Sequence, residues 1–401
     1  MRRVVVTGLG AVTPIGADAP SSWRAAVAGE SGIDFISSFD ASGFPVRIAA
    51  EVKDFDPSQV ASAKDARRLD RNVLLALGAA REAVADARLD GAYSADRVGI
   101  LFGTAIGGFL GIMEQADVLR ERGADRVAPT FIPNVLVDTA SGQLAISLGF
   151  RGLNYAPVSA CATGSTAIGE DGVGIAGGGE ACLHPLILAG FTAMRGLVAE
   201  DEHPPHASRP FDATRAGFVM GEGACVLVLE ELEAAQRRGA TIYAEILGYA
   251  MSNDAHHLAQ PDPESLGVAE MMRHALERAG VAPERVGYIN AHGTSTPLGD
   301  AAETRAIKEV FGDYAYRLAV SSTKSVTGHC FGAAGAIEAM MCVLAVRDGV
   351  LPPTMNYVHP DPECDLDYVP NEARQVQVEV ALSNAMGLGG HNGCVLVGRM
   401  A

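Results

Sequence analysis

Cys161 lies in Ser159-Ala160-Cys161-Ala162-Thr163-Gly164-Ser165, a run of small residues where a strand-like segment gives way to a helix-like one. Small neighbours leave room for a substrate to reach the sulfur. A helix N-terminus there presents free N–H groups and the positive end of the helix dipole. Both favour a thiolate and stabilise negative charge on a bound carbonyl oxygen. A buried structural cysteine would fit this segment equally well, so other segments must decide. Ala291-His292-Gly293-Thr294-Ser295-Thr296 closes a strand-like run at 285–290. Ser322-Thr323-Lys324-Ser325-Val326-Thr327-Gly328-His329 closes another at 318–322. The ends of buried strands are where α/β folds place their sites. One histidine at such an end is usually a satisfied core residue; two, one of them five residues after Lys324, are harder to explain structurally. A fourth segment, Asn384 to Gly393, is rich in glycine and permits close backbone approach to a ligand.

The surrounding sequence alternates short β-rich runs with Ala/Leu-rich helical segments, the signature of an α/β fold. Strands are expected at 2–7, 97–103, 154–160, 224–229, 285–290 and 318–322. Helices are expected at 64–88, 231–238 and 265–279. The order repeats: RVGILF at 97–102 resembles RVGYIN at 285–290. APVSACATGSTAIG at 156–169 resembles LAVSSTKSVTGHCFGAAGAIEA at 318–339, and ACVLVL at 224–229 resembles GCVLVG at 393–398. Three ordered matches predict two related halves, 1–240 carrying the cysteine and 241–401 carrying both histidines. Two such halves would share a core and enclose one cleft.

The charge balance, 31 − 48 = −17 over 401 residues, argues against a general nucleic-acid binder. An acidic partner would need a local basic patch. Seven cysteines, an odd number with no CxxC spacing, suit a reducing cytosol better than a disulfide framework or a zinc cluster. No run of about 18 strongly apolar residues predicts a membrane span. The N-terminal Val4-Val5-Val6 reads as a buried first strand rather than a signal sequence, which makes the protein cytoplasmic by expectation.

Four features are decoys. Gly8-Leu9-Gly10 follows a strand, but Thr13 stands where a dinucleotide loop needs its third glycine, so a tight strand-to-loop turn is expected. Prolines between His203 and His206 preclude presentation of a metal pair on one helical face. His256-His257 is explained by loop polarity, and His391 would line a site rather than act in it.

The set Cys161, His292 and His329 resembles the Cys-His-His triad of the condensing enzymes, specifically the β-ketoacyl-[acyl-carrier-protein] synthases. VVVTGLGAVTPIG, SACATGS, AHGTSTPLGD, SSTKSVTGH and GLGGHN are similar, in order, to motifs of the elongating synthase II branch, and the likeness runs from residue 2 to residue 399. The resemblance implies a thiolase-like five-layered αβαβα fold of two βαβαβαββ halves, and a homodimer. It implies acyl transfer from a phosphopantetheine arm to Cys161, then decarboxylation of malonyl-carrier and attack of the resulting carbanion on the acyl group. An oxyanion hole from the N–H groups of Cys161 and Leu388 is implied, as are His292 and His329 as donors to the enolate. Lys324 and Glu338 would be a supporting charge pair, and Thr294 and Thr296 would bond the pantetheine amides. Ile106, Phe191, Met386 and Leu388 match acyl-pocket positions. Lys64, Arg67, Arg68, Arg126 and Arg195 match docking positions for the acidic acyl carrier protein. No metal, flavin or nucleotide cofactor is implied, and neither nucleic acid nor a membrane is a partner. Related readings are a polyketide-pathway ketosynthase and a non-catalytic chain-length partner, the latter opposed by Cys161.

Two departures stand out. The family usually carries two phenylalanines in the glycine-rich loop, one gating the acyl pocket; here Met386 and Leu388 stand there, a more flexible pair. After Ile168-Gly169-Glu170 the chain runs through Asp171-Gly172-Val173-Gly174 straight into Ile175. About nine residues of the family pattern are missing, roughly 13 Å of helix at about 1.5 Å per residue. An altered stretch, rather than a tolerated deletion, is expected there.

Overall fold

The computed structural model describes residues 2–170, 174–199 and 202–400. The altered stretch expected after Glu170 falls on residues 171–173, outside the described residues. Ten strands form the main sheet: β1 (Val4–Val12), β2 (Gly99–Gly103), β3 (Asn154–Tyr155), β4 (Gly174–Glu180), β5 (Gly223–Glu231), β6 (Ala244–Asn253), β7 (Val286–Asn290), β8 (Ala319–Ser321), β9 (Val380–Gly387) and β10 (His391–Gly398). Six helices matter to the site: α1 (Arg71–Ala87), α2 (Thr139–Leu148), α3 (Thr163–Glu170), α4 (Leu266–Ala279), α5 (Pro297–Phe311) and α6 (Ala334–Asp348). Read in chain order, these elements spell βαβαβαββ twice.

The sheet order makes the duplication visible. From the seam outward the first half runs β1-β5-β4-β2-β3 and the second β6-β10-β9-β7-β8. In each half the first two pairings are antiparallel and the last two parallel. The halves join where Val4–Val6 of β1 pair with Ala244–Ile246 of β6. Helices α1 and α2 cover one half's outer face, α4 and α5 the other's, and α3 and α6 lie between the two halves of the sheet. This is the expected five-layered αβαβα arrangement. Every residue of α6 from Ala334 to Val346 is buried, as its nearly uninterrupted apolar sequence requires. At the centre α3 meets α6 through glycines. A Cβ on Gly164 would lie 2.5 Å from the Ala336 nitrogen, and one on Gly335 would lie 2.7 Å from the Ser165 nitrogen.

Most expected elements are present, with shifted ends. The 64–88 helix is two pieces, Ala63–Ala66 and α1, because Asp70 leaves the helix to cap it, accepting the N–H groups of Asn72 (3.1 Å) and Gly111 (2.8 Å). The strand expected over 154–160 is regular only at Asn154–Tyr155. The turn expected at Gly8-Leu9-Gly10 is absent, since β1 runs straight through it to Val12. Its glycines serve close packing: a Cβ on Gly8 would lie 2.3 Å from the Ala83 oxygen, and one on Gly10 would lie 2.0 Å from the Ala79 oxygen. Gly10→Ala therefore pushes α1 off the sheet. It is expected to lower stability by about 1–3 kcal/mol, read as a lower denaturant midpoint at unchanged slope.

Candidate active site

Cys161 sits in a 3-10 turn, Ala160–Ala162, directly before α3. Ala160 holds φ at +50°, a left-handed conformation unusual for a residue with a Cβ. The second half repeats this elbow before α6, where Phe331 opens the 3-10 turn Phe331–Ala333 with φ +44°. The duplicated fold thus aims two helix N-termini into one cleft; Cys161 at the first borders it, whereas Cys330 at the second turns its sulfur to the Glu222 carbonyl. Gly387 makes room: a Cβ there would lie 3.0 Å from the Cys161 nitrogen.

The imidazoles arrive from the other half. His329 is held in a bridge to β5's approach, its N–H donating to the Val219 carbonyl (2.8 Å) and its carbonyl accepting the Gly221 N–H (2.8 Å). Its Nε2 lies 3.0 Å from the Cys161 sulfur. The rings of His292 and His329 stand edge to face with centroids 5.3 Å apart. His292 is positioned through its backbone: the N–H groups of His292 and Gly293 each donate to the Glu303 carboxylate at 2.8 Å, and Asn384 adds a third donor at 3.1 Å. Lys324 forms a fully buried ion pair with Glu338 of α6.

These surroundings set the protonation states. Burial and the neighbouring Lys324 charge hold both imidazoles well below the usual histidine range, so both are neutral. On each ring Nδ1 is buried without a hydrogen-bond partner. A buried bare acceptor costs less than a buried orphaned N–H, so the proton belongs on Nε2. Both rings then present an Nε2–H donor. Burial pushes the Cys161 thiol up to about 12, against the pull of Lys324 and of the Leu388 N–H, which hydrogen-bonds the sulfur. The pocket therefore holds a thiol with three donors around it: its own helix end, the Leu388 amide and His329.

A cavity of about 610 Å³ opens above the sulfur, and Cys161, His292, His329, Thr294, Thr296 and Leu388 all border it. Phe191 and Met386 line it. Ile106 does not; it packs in the apolar cluster beside Cys161. The wall also includes Phe218 and Phe331, which were not singled out from sequence: Phe331 stacks on Phe191 (5.3 Å, 16°) and Phe218 meets the His329 ring edge-on. His257, assigned to loop polarity, borders the cavity, whereas His391 does not. Lys64, Arg67, Arg68, Arg126 and Arg195 are all exposed, and Arg195 borders the cavity. The rings of His203 and His206 lie 5.6 Å apart, and no group of three or more His, Cys, Asp or Glu among the described residues is placed to hold a metal ion. No helix among the described residues is long and apolar enough to cross a membrane.

Two family models match the chain: the β-ketoacyl synthase N-terminal domain over residues 1–235 and the β-ketoacyl synthase C-terminal domain over residues 243–358. The chain is 49% identical over 409 aligned residues to the 3-oxoacyl-[acyl-carrier-protein] synthase 2 of Coxiella burnetii, covering 100% of this chain and 99% of that one. Among solved structures it is similar to the ishigamide ketosynthase/chain length factor (TM-score 0.92, 34% identity, full coverage of both chains). It is also similar to a type II PKS ketosynthase bound to the hexaketide in complex with its acyl-carrier protein (TM-score 0.91, 32% identity, full coverage of both). A duplicated βαβαβαββ fold, a cysteine elbow facing two neutral histidines, and likeness along the whole length lead to one conclusion: the chain belongs to the β-ketoacyl synthase family.

Proposed function

We propose that this enzyme is a 3-oxoacyl-[acyl-carrier-protein] synthase that elongates acyl chains by decarboxylative condensation. The observation that carries the reading is the 3.0 Å approach of His329 Nε2 to the Cys161 sulfur in a cavity also bordered by His292. Cys161 attacks the carbonyl carbon of an acyl thioester. The tetrahedral oxyanion lies against the N–H groups of Cys161 and Leu388. The pantetheine sulfur leaves with the proton that Cys161 loses, so thioester exchange balances. Malonyl-carrier then loses CO₂, and the enolate oxygen meets the Nε2–H groups of His292 and His329. The enolate carbon bonds to the acyl carbonyl carbon, Cys161 leaves as thiolate and takes up a proton from water, and the 3-oxoacyl product is two carbons longer. Burial, with the Lys324 charge beside it, keeps both imidazoles neutral, hence donors. Thr294 and Thr296, whose hydroxyl oxygens lie 3.0 Å apart at the cavity wall, bond the pantetheine amides.

No metal, flavin or nucleotide cofactor has a part in this sequence of steps; phosphopantetheine enters on the carrier. The exposed Lys64, Arg67, Arg68, Arg126 and Arg195 steer the acidic acyl carrier protein by local charge. The protein acts as a homodimer in the cytoplasm. Ile132, Leu136, Val137, Ile146 and Leu153 are exposed apolar side chains that a second copy would cover. All seven cysteines are buried and unpaired, as a reducing compartment keeps them. Incubation with an acyl-carrier and malonyl-carrier should yield one CO₂ per 3-oxoacyl-carrier, the product mass showing a single two-carbon extension. Repeated extension without reduction would instead support a polyketide ketosynthase, and no CO₂ release would refute condensation.

A further inference from the structure

We propose that Arg215 is a positioning residue for the pantetheine arm: one buried guanidinium fixes both the turn that carries Thr294 and Thr296 and the segment that leads into Phe218. The inference rests on the reading of Thr294 and Thr296 given above.

Residues 294–296 form a turn outside the flanking strand and helix, and Ser295 within it is buried with φ +69°. Such a turn keeps its shape only if its surroundings over-determine it. They do so from both halves of the chain. The Arg209 N–H donates to Ser295 Oγ (3.0 Å) and the Gly217 N–H to the Ser295 carbonyl (3.0 Å). Asp300 accepts the N–H groups of Ser295 (3.1 Å) and Phe211 (2.8 Å). Arg215 closes the arrangement. Its Nε donates to the Thr296 carbonyl (3.2 Å), Nη2 to the Pro297 carbonyl (2.9 Å) and Nη1 to the Asp212 carbonyl (2.9 Å). Asp361 at 2.5 Å and Asp300 at 3.7 Å balance its charge.

The consequence is geometric. Two adjacent carbonyls held by one planar fork fix the peptide plane after Thr296, and with it the direction of the Thr296 side chain. Arg215 touches neither threonine hydroxyl, so it acts through them. Two residues on, Gly217 borders the cavity, and Phe218 meets the His329 ring edge-on. Arm site and acyl wall are therefore registered to one side chain. A lysine supplies charge but no fork and cannot hold the two carbonyls together.

The test compares two thioesters of the same acyl group, one on pantetheine and one on ethanethiol, which has no arm. The readout is acylation of Cys161. In Arg215→Lys, kcat/KM for the pantetheine thioester is expected to fall about 10–100-fold, mainly through KM, while the ethyl thioester loses less than about threefold. Adding Thr296→Val should then cost little more, because the hydroxyl is already misdirected. Should Arg215→Lys fail to fold, Asp361→Asn loosens the same guanidinium from its more exposed side and must lower the pantetheine preference about 3–10-fold. Equal losses with both thioesters, an unchanged preference, or losses from Arg215→Lys and Thr296→Val that simply multiply would each overturn the proposal. Failure of the underlying reading shows separately: the unmodified enzyme would then have no preference for the pantetheine thioester, and the proposal would fall with it.

Discussion

Replacing His329 by Ala leaves acyl transfer to Cys161 within about tenfold of the unmodified rate but slows carbon–carbon bond formation by about 10²–10³. The asymmetry follows from who else serves each step. The sulfur and the first oxyanion keep the helix end of α3 and the Leu388 amide when the imidazole is gone. The enolate has only the two Nε2–H donors, and losing one preorganised donor of this kind costs about 10²–10³. Single-turnover acylation and steady-state condensation, followed on the same variant, separate the two. Equal losses in both steps would mean that His329 serves the thiol and not the enolate.

Lys324→Met is expected to lower stability by about 3–5 kcal/mol, because it leaves the Glu338 carboxylate buried without its countercharge. The loss depends on pH. Burial raises Glu338 from 4.5 to about 7 even with Lys324 opposing the shift. For a carboxyl raised on folding, the associated stability is present below the unfolded value, about 4.5, and lost as pH rises through the folded value, about 7. Without Lys324 the carboxyl rises further, so the gap to the unmodified protein is small at pH 5 and large at pH 8. Thermal unfolding at the two pH values measures it, and the double variant Lys324→Met, Glu338→Gln should close most of the gap at pH 8. A gap independent of pH would mean that Glu338 does not carry the effect. Burial still holds His292 and His329 low in this variant, but the Lys324 charge that adds to it is gone, so condensation should lose activity at the acidic end first.

The chemistry was legible because its residues sit in short motifs at strand ends, where backbone geometry alone brings them to one edge of a sheet. Cys161, His292, Lys324 and His329 fall within them, whereas Glu338 lies inside α6 and was reached through the family resemblance. The duplication was legible because strands such as 97–102 and 285–290 kept their apolar order. Close packing was not. Gly174–Glu180 is a fully buried strand with three consecutive glycines, which propensity rejects. A Cβ on Gly177 would lie 2.1 Å from the Cys225 oxygen, so only glycine fits. Gly8 and Gly10 gave the opposite error, a turn expected where α1 presses on a strand. Glu303 and Arg215 were missed because they act on backbone groups of distant segments, which leaves no motif. Their one sequence trace is spacing: Glu303 follows His292 by eleven residues, on the helix that the strand-end turn feeds.

The central claim is that one sulfur accepts the acyl group before any carbon–carbon bond forms. Peptide mapping by mass spectrometry, after brief exposure to an acyl-carrier without malonyl-carrier, tests it directly. One acyl group should be found on the peptide containing Cys161, discharged as 3-oxoacyl product when malonyl-carrier is added and absent in Cys161→Ala. Acyl label on another residue, or label that persists unchanged in Cys161→Ala, would contradict it.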